Sequence, residues 1–546
     1  MKRFTPRTFA PAPTARPGAS AHLPARSLAG AASVALLAAL LWASPATRAA
    51  APDDTMTDYV RHCAECHGVD RLGGMGPALL PENLARLRKT EAIKAIRDGL
   101  AATQMPAFGE TLGDARIAAI AELIYTPIVP SPQWTEDDIR ASRIVRVDPA
   151  TLSDQPVFDA DPLNLFLVVE TGDHHVSVLD GDRLEPIHRF QSRYALHGGP
   201  KFAAGGRYVF FGSRDGWVTK FDLWNLKVVA EIRAGINTRN VAVSPDGDYV
   251  AVANYLPHTL VLLDGELNLL KSLVVADKDG KKTSRVSAVY EATPRKSFVA
   301  ALKDVPEVWE ISFDPKAEDI PTGFVHDYKL REGSFIPGYL NPRRTVVSDV
   351  LDDFFFTQDY SLLMGASRSG VGQVVSLDAR MRIADLPLEG MPHLGSGITF
   401  EYQGRRVMAS TNLQAAEVTV IDLDDFSVVK RIPTRGPGFF LRSHENSRYA
   451  FVDSMMSPEF KNHLQVIDKQ SLEVVKELTA PPGQTLAHIE FTRDGRYALA
   501  SLWEHDGAII VFDAETLEEV KRIPMKKPVG KYNVWNKITR EEGTSH

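Results

Sequence analysis

Cysteine is almost missing from this chain: its 546 residues include only two, Cys63 and Cys66. One bridge at most could form, so a disulfide framework is excluded as the source of stability. A surplus of positive charge is lacking too. Lys and Arg number 62 against 69 Asp and Glu, a net charge of −7, and the cations are spread along the chain. That balance sets aside a nucleic-acid-binding surface. Long apolar runs are absent with one exception, residues 29–43. This run is shorter than the roughly 20 residues that a membrane-crossing helix needs. Lys2, Arg3, Arg7, Arg16 and Arg26 precede it, and small residues fill positions 46–51. Charged, then apolar, then cleavable is the order of a secretory signal; a retained anchor is the alternative. Residues 1–50 are expected to be a signal peptide, and the mature chain to work in the periplasm.

The two cysteines share one short motif, Cys63-Ala-Glu-Cys66-His67. A disulfide is the simple reading of Cys-x-x-Cys, but the adjacent histidine points to covalent haem c. Two thiols one helical turn apart can add to the two vinyl groups of a porphyrin, and the imidazole then lies under the iron. The surroundings suit a small all-α cytochrome c domain over residues 51–126. Gly74-Met75-Gly76-Pro77 reads as a turn, 91–100 and 114–125 as helices, and Gln104-Met105-Pro106 as a loop offering a thioether. Met105 is expected as the sixth ligand opposite His67; Met75 is the rival. A histidine–methionine pair leaves no open iron site, so this haem is expected to carry electrons. Prolines crowd residues 127–162, which read as a linker with a short helix at 136–143.

From residue 163 to 546 one unit recurs. Copies begin at Asn164, Gly206, Gly247, Lys296, Asp359, Gly404, Ser447 and Gly495, the fourth of them worn. Each has a strand, a polar turn, a second strand ending in an Asp, and a third strand of alternating apolar residues. Spacing of roughly 40–60 residues with several short strands per copy marks an all-β propeller, here of eight blades. The tail at 529–537 could supply a strand that closes the ring.

A propeller's ligand site is usually one mouth of its channel, where the innermost strands begin. Those strands should precede each copy by about ten residues. Lined up in this way, three segments carry histidine near the start: His197, His393 and His488. Another carries Arg239, and two carry phenylalanines, 354–356 and 439–440. Imidazoles, guanidinium groups and aromatic rings around one opening suit a flat, acid-bearing macrocycle with a central metal. Arg193, Arg214 and Arg239 are candidates for binding its carboxylates, with an ion pair to Asp215 as the alternative for Arg214. His174, His175, His258 and His463 fall in outer turns and read as solvated.

The order of parts resembles cytochrome cd1 nitrite reductase and its relatives. Tyr194-Ala195-Leu196-His197, Gly206-Arg207-Tyr208, Arg214-Asp215-Gly216 and Asp222-Leu223-Trp224 look like the region around that family's proximal d1 ligand. Pro392-His393-Leu394-Gly395 resembles a segment with one distal histidine, and 527–534 resembles the closing strand. The segment expected to carry the second distal histidine reads Asp352-Asp353-Phe354-Phe355-Phe356, with no histidine. Loss of that proton donor argues against nitrite reduction. His488, without an obvious counterpart in the reductase, fits the dihydro-haem d1 dehydrogenase branch. The resemblance implies oxidation of a propionate side chain of dihydro-haem d1 to the acrylate of haem d1. His197 and His488 would ligate its iron, His393 would act as general base, and Arg193, Arg214 and Arg239 would hold its carboxylates. It also implies electron transfer to haem c, then to a periplasmic acceptor, with the nitrite reductase as recipient of the product. Nitrite reduction, or carriage of haem d1 without catalysis, are the alternatives.

Overall fold

The computed structural model describes residues 52–540 and 543, except 75, 86, 100–104 and 328–331. The expected signal peptide and Met75 lie outside the described residues. The first part holds the helices α1 (Pro52–His62), α2 (Ala64–His67), α3 (Pro81–Leu84), α4 (Lys89–Asp98) and α5 (Gly109–Ile124). The two expected helices correspond to α4 and α5. The latter starts earlier than its pattern suggests, because a first turn is joined to the rest through Gly113 at φ 69°. Ile117, Ile120, Ala121 and Ile124 recur at helical spacing and are all buried. The three isoleucines pack with Tyr59, Leu84 and Ile96 into one cluster. Each large apolar side chain so buried contributes about 1.5–3 kcal/mol. Buried Arg71 donates to the carbonyls of Leu123 and Thr126, satisfying groups that the end of α5 leaves open.

The expected linker is more ordered than its proline content suggests. Thr135 and Asp138 form a reciprocal capping box that starts α6 (Glu136–Ala141). Ile144–Val145 then pairs antiparallel with Lys227–Arg233. This covers the outer edge of a propeller sheet that would otherwise offer unpaired amides.

The remaining strands form eight antiparallel blades of four strands, plus one separate hairpin. Strands 1–3 of the first blade, Leu165–Glu170, His175–Asp180 and Glu185–Gln191, lie beside Pro528–Asn533 from the far end of the chain. Leu167 faces Tyr532 in that pairing, which closes the ring. The alternation of side chains along a strand explains why Leu165–Glu170 is apolar on both faces. Leu165, Leu167 and Val169 pack toward Val209, Phe211 and Phe221 of the second blade. Phe166 and Val168 pack toward Leu499, Ile509 and Val511 of the eighth. The worn fourth copy has a physical cause. After Glu307–Ser312 the chain makes the hairpin Ile320–Asp327 and Glu332–Ile336, and only then supplies its last strand, Pro342–Val346.

The innermost strands of blades 2–8 are Lys201–Ala203, Asn237–Val243, Val286–Ala292, Asp353–Phe356, Pro392–Tyr402, Leu441–Arg442 and Leu486–Phe491. They coincide with the segments lined up from the sequence. A last helix, α7 (Val534–Thr539), begins at the Asn533 cap. It and the residue after it reach the distal ends of these strands: Lys537 pairs with Glu490 at 3.0 Å and Arg540 with Glu291. One channel mouth is thus crossed by α7. His197, His393 and His488 mark the other, where the innermost strands begin.

Candidate functional site

In the cytochrome part, the His67 ring is held by one hydrogen bond. Its Nδ1 lies 2.8 Å from the Pro77 carbonyl. A carbonyl only accepts, so Nδ1 carries the hydrogen and Nε2 keeps the lone pair that an iron needs. Gly76 lies flat against this ring: a Cβ there would fall 2.8–2.9 Å from its Cε1 and Nδ1. Met105 and Cys63 line the same apolar cluster, and Cys66 is half-buried. Burial pushes the Cys63 thiol up to about 11. The donor set therefore fits a haem joined through Cys63 and Cys66, with His67 and Met105 as axial ligands.

This domain sits against blade 3. Ala78 and Leu80, just after the Pro77 loop, pack with Ile236 and Leu256. Asn83 donates to the Ile236 carbonyl at 3.1 Å, and Asn237 to the Glu82 carbonyl at 3.2 Å. Arg233 donates to the Leu72 carbonyl and stacks on Trp134 at 4.7 Å.

The propeller mouth starts from a tight passage in the chain. Ala195 has φ 45°, and Gly198 and Gly199 have φ 83° and 68°. A Cβ at Gly198 would stand 2.7 Å from the Asn240 side chain, and one at Gly199 would stand 2.8 Å from the Tyr532 ring. Only glycine passes between blades there, and this sets the direction of His197. Nδ1 of His197 lies 2.7 Å from the Arg239 carbonyl, so by the argument used for His67 the lone pair is on Nε2. Arg214 places a guanidinium nitrogen 3.0 Å from that Nε2. The Arg239 guanidinium lies 3.2–3.3 Å from the same ring and also donates to the Ser287 carbonyl at 3.0 Å.

His393 is buried, 7 % exposed. Its Nδ1 approaches the Phe439 carbonyl at 2.8 Å, and the two rings stand 4.0 Å apart. Its Nε2 is 3.9 Å from an Asp353 oxygen. Burial holds this imidazole below its ordinary value, partly opposed by Asp353, so the neutral form is favoured. His488, 2 % exposed, sits at a break in strand register with φ 52°. A left-handed histidine inside a strand is costly and typical of functional positions. Its carbonyl accepts from the fully buried Lys531, which also donates to Ser501 at 2.9 Å. The ring stands between Phe440 at 4.5 Å and Tyr532 at 5.0 Å. Its Nδ1 is buried with no hydrogen-bond partner among the described residues. Burial and the nearby Lys531 and Arg442 push this imidazole well below its ordinary value. Asp453, wholly buried, ties the two segments together: it accepts the Phe439 amide at 2.8 Å and the His488 amide at 3.5 Å.

The interior is rich in cations. Lys201 is pushed down to about 7 by burial and by Arg540 and Lys537, and Lys537 to about 8 by burial first. Such a lining suits an acid-bearing ligand. The sequence reading missed Lys201, Arg442, Lys531 and Asp353. Their signal was a charged residue within an otherwise apolar innermost strand.

Two expectations need correction. Arg193 does not point its fork at this mouth: it binds Glu231 at 2.6 and 2.9 Å and stacks on Trp217 at 3.7 Å. A carboxylate of the protein itself satisfies the guanidinium. His174 is not solvated. Ser192 donates to its carbonyl at 2.8 Å, bringing the next segment over the turn, and its ring lies 5.0 Å from Tyr194 with Nε2 buried.

A ring of eight blades with imidazoles and guanidinium groups at one mouth, joined to a small haem-binding fold, has known counterparts. Residues 160–537 match the family described as "Cytochrome D1 heme domain", and the chain belongs to it. Residues 50–124 match "Cytochrome C oxidase, cbb3-type, subunit III". Within the d1 family, the chain is 52 % identical to the dihydro-heme d1 dehydrogenase of Pseudomonas aeruginosa, over 94 % of this chain and 99 % of that one. It is 25 % identical to the nitrite reductase of Stutzerimonas stutzeri, over 90 % and 95 %. A solved structure of a dihydro-heme d1 dehydrogenase in complex with DHE matches with a TM-score of 0.82 and 52 % identity, covering 88 % of this chain and 99 % of that chain. No described helix is long and apolar enough to cross a membrane.

Proposed function

We propose that this protein is a c-type cytochrome that oxidises dihydro-haem d1 to haem d1, turning one propionate side chain into an acrylate. The change releases two protons and two electrons from a CH2–CH2 unit. Haem c, held by Cys63, Cys66, His67 and Met105, supplies one-electron redox chemistry when bound. The substrate's macrocycle lies over the mouth marked by the three histidines. His197 offers Nε2 to its iron, with the ring oriented by the Arg239 carbonyl. His488, whose Nδ1 has no hydrogen-bond partner among the described residues, offers its imidazole from the opposite face. Arg214 and Arg239 meet the carboxylates. His393, kept neutral by burial, takes a proton from the propionate. Phe439 and Phe440 cover the site and exclude water.

The observation that carries this reading is the pairing of His393 with carboxylate Asp353 rather than with a second imidazole. A single neutral base beside a carboxylate accepts protons, as a dehydrogenation requires; nitrite reduction needs donors. The high identity to a dihydro-heme d1 dehydrogenase supports it. The protein works in the periplasm, passes electrons to a carrier there, and releases its product to the nitrite reductase. The test is anaerobic incubation of the haem-c-oxidised protein, in at least twofold molar excess over dihydro-haem d1 so that two one-electron acceptors are present per substrate, followed by absorption. Conversion of the macrocycle spectrum with reduction of haem c is expected. Tight binding without conversion would reject the enzyme and leave a carrier.

A further inference from the structure

We propose that Arg233, a propeller residue, is an electrostatic part of the haem c site: its charge raises the haem c reduction potential and so strengthens the electron acceptor of the function proposed above. The raised potential itself rests only on haem attachment at Cys63 and Cys66, so it can stand or fail without that function. The geometry centres on one peptide unit. The Leu72 carbonyl accepts from the Arg233 guanidinium. The amide of the same peptide, at Gly73, donates to the His67 carbonyl at 2.9 Å. A single peptide dipole therefore stands between the cation and the main chain of the axial histidine, and hydrogen bonds in such a chain polarise one another.

Arg233 ends the last strand of blade 2 and is 6 % exposed. Its Nε donates to the Asp215 carbonyl at 2.9 Å. The indole N–H of Trp134 donates to its main-chain carbonyl at 2.8 Å, and the indole ring packs against its guanidinium. The Ser142 hydroxyl, just after α6, accepts its amide at 2.9 Å. Leu72 and Trp134 belong to the apolar cluster of Ala78, Leu80, Ile236 and Leu256, so the surroundings are poorly hydrated. Both guanidinium bonds go to main-chain carbonyls, which satisfy the donors without cancelling the charge. The nearby acids are otherwise engaged. Ser213 donates to the Asp215 carboxylate, which burial makes harder to ionise. Glu231, on the same strand, is bound by Arg193 and Arg146. A buried cation without a carboxylate partner is costly, and an arginine cannot shed its proton to escape that cost. Its field acts through a medium of low permittivity and is little screened by salt. A fixed positive charge favours the ferrous over the ferric state, and this raises the potential.

The test is redox potentiometry of the substrate-free holo-protein for wild type, Arg233→Gln, Arg233→Lys and Arg233→Met, with the haem absorption spectrum recorded for each. Gln removes the charge but keeps N–H donors, whereas Lys keeps the charge but loses the planar fork. Arg233→Gln should weaken the one-electron reduction equilibrium by roughly tenfold, a fall of about 59 mV, with the spectrum of the axially ligated haem unchanged. Arg233→Lys should stay close to wild type. Arg233→Met, with neither charge nor donor, should fall at least as far as Arg233→Gln. If Arg233→Gln does not fold, the comparison of Met with Lys decides by the same criterion. An unmoved potential in the neutral variants overturns the proposal. So does an equal fall in Lys and in the neutral variants, which would assign the effect to the bonding geometry of the guanidinium and not to its charge. Substrate is absent throughout, so neither result bears on the dehydrogenation.

Discussion

The main-chain carbonyl of Arg239 holds the His197 ring at 2.7 Å, and Arg239 stands two residues beyond Asn237, which binds the cytochrome domain. One strand of blade 3 therefore begins at the interface near the His67 loop and continues to the ligand mouth. The orientation of His197 and the seating of the cytochrome depend on the same short piece of backbone.

Replacement of His197 by Ala removes the imidazole proposed to offer Nε2 to the substrate iron. Affinity for dihydro-haem d1 should fall by roughly a hundredfold, the upper range for losing a supporting group at a metal site. A spectroscopic titration measures it. Unchanged affinity would assign the iron to another residue.

Met105→Ala removes the thioether proposed as the haem c ligand opposite His67. The haem c potential should drop by on the order of 0.1–0.3 V, part of the ~0.8 V that axial ligands control. Redox potentiometry checks this, and an unchanged potential points to Met75.

Gly76→Ala puts a methyl group against the His67 ring, at 2.8–2.9 Å from Cε1 and Nδ1. The ring must tilt away from the Pro77 carbonyl, since the backbone on the other side is fixed. Haem should still attach at Cys63 and Cys66, but with a shifted absorption spectrum and a loss of about 1–3 kcal/mol of stability. Thermal melting and the haem spectrum report both effects.

Acid should destabilise the substrate-free protein early. The imidazoles of His174, His188, His258, His393, His444 and His488 are held below their ordinary value, each by burial first. Protonation therefore favours the unfolded chain. The stability they contribute is complete above about pH 6.5 and is lost as pH falls through their lower folded values. Asp215 and Asp453 act in the other direction. Both are raised by burial, Asp453 to about 6, and what they contribute at low pH is lost as pH rises through those values. The imidazoles outnumber them, so stability should fall between about pH 7 and pH 5, by up to about 1.4 kcal/mol per pH unit for each proton taken up, and the melting temperature with it. A flat profile would contradict the burial of these rings.

Much of this was legible along the chain. Strand, turn and strand recur because each blade needs the same local pattern, and the closing strand at 528–533 could be read from its position after the last copy. The fourth blade was obscured by the hairpin inserted before its last strand. Ile144–Val145 left no trace, because two residues have no periodicity. Listing the starts of the innermost strands brought out His197, His393 and His488. It could not show that Arg193 turns to Glu231, since both a ligand carboxylate and a protein carboxylate satisfy the same fork.

By itself, the sequence determined the haem-attachment motif, the helical stripe of α5 and the eightfold repeat, all properties of residues close together in the chain. Only the tertiary structure decided which ring nitrogen of His197 and of His393 meets a main-chain carbonyl and that Asp353 faces His393. Those depend on carbonyls and carboxylates from neighbouring blades, 40 or more residues away. Hydrogen-bond direction and the electrostatic effect of burial act through space, and a linear pattern carries neither.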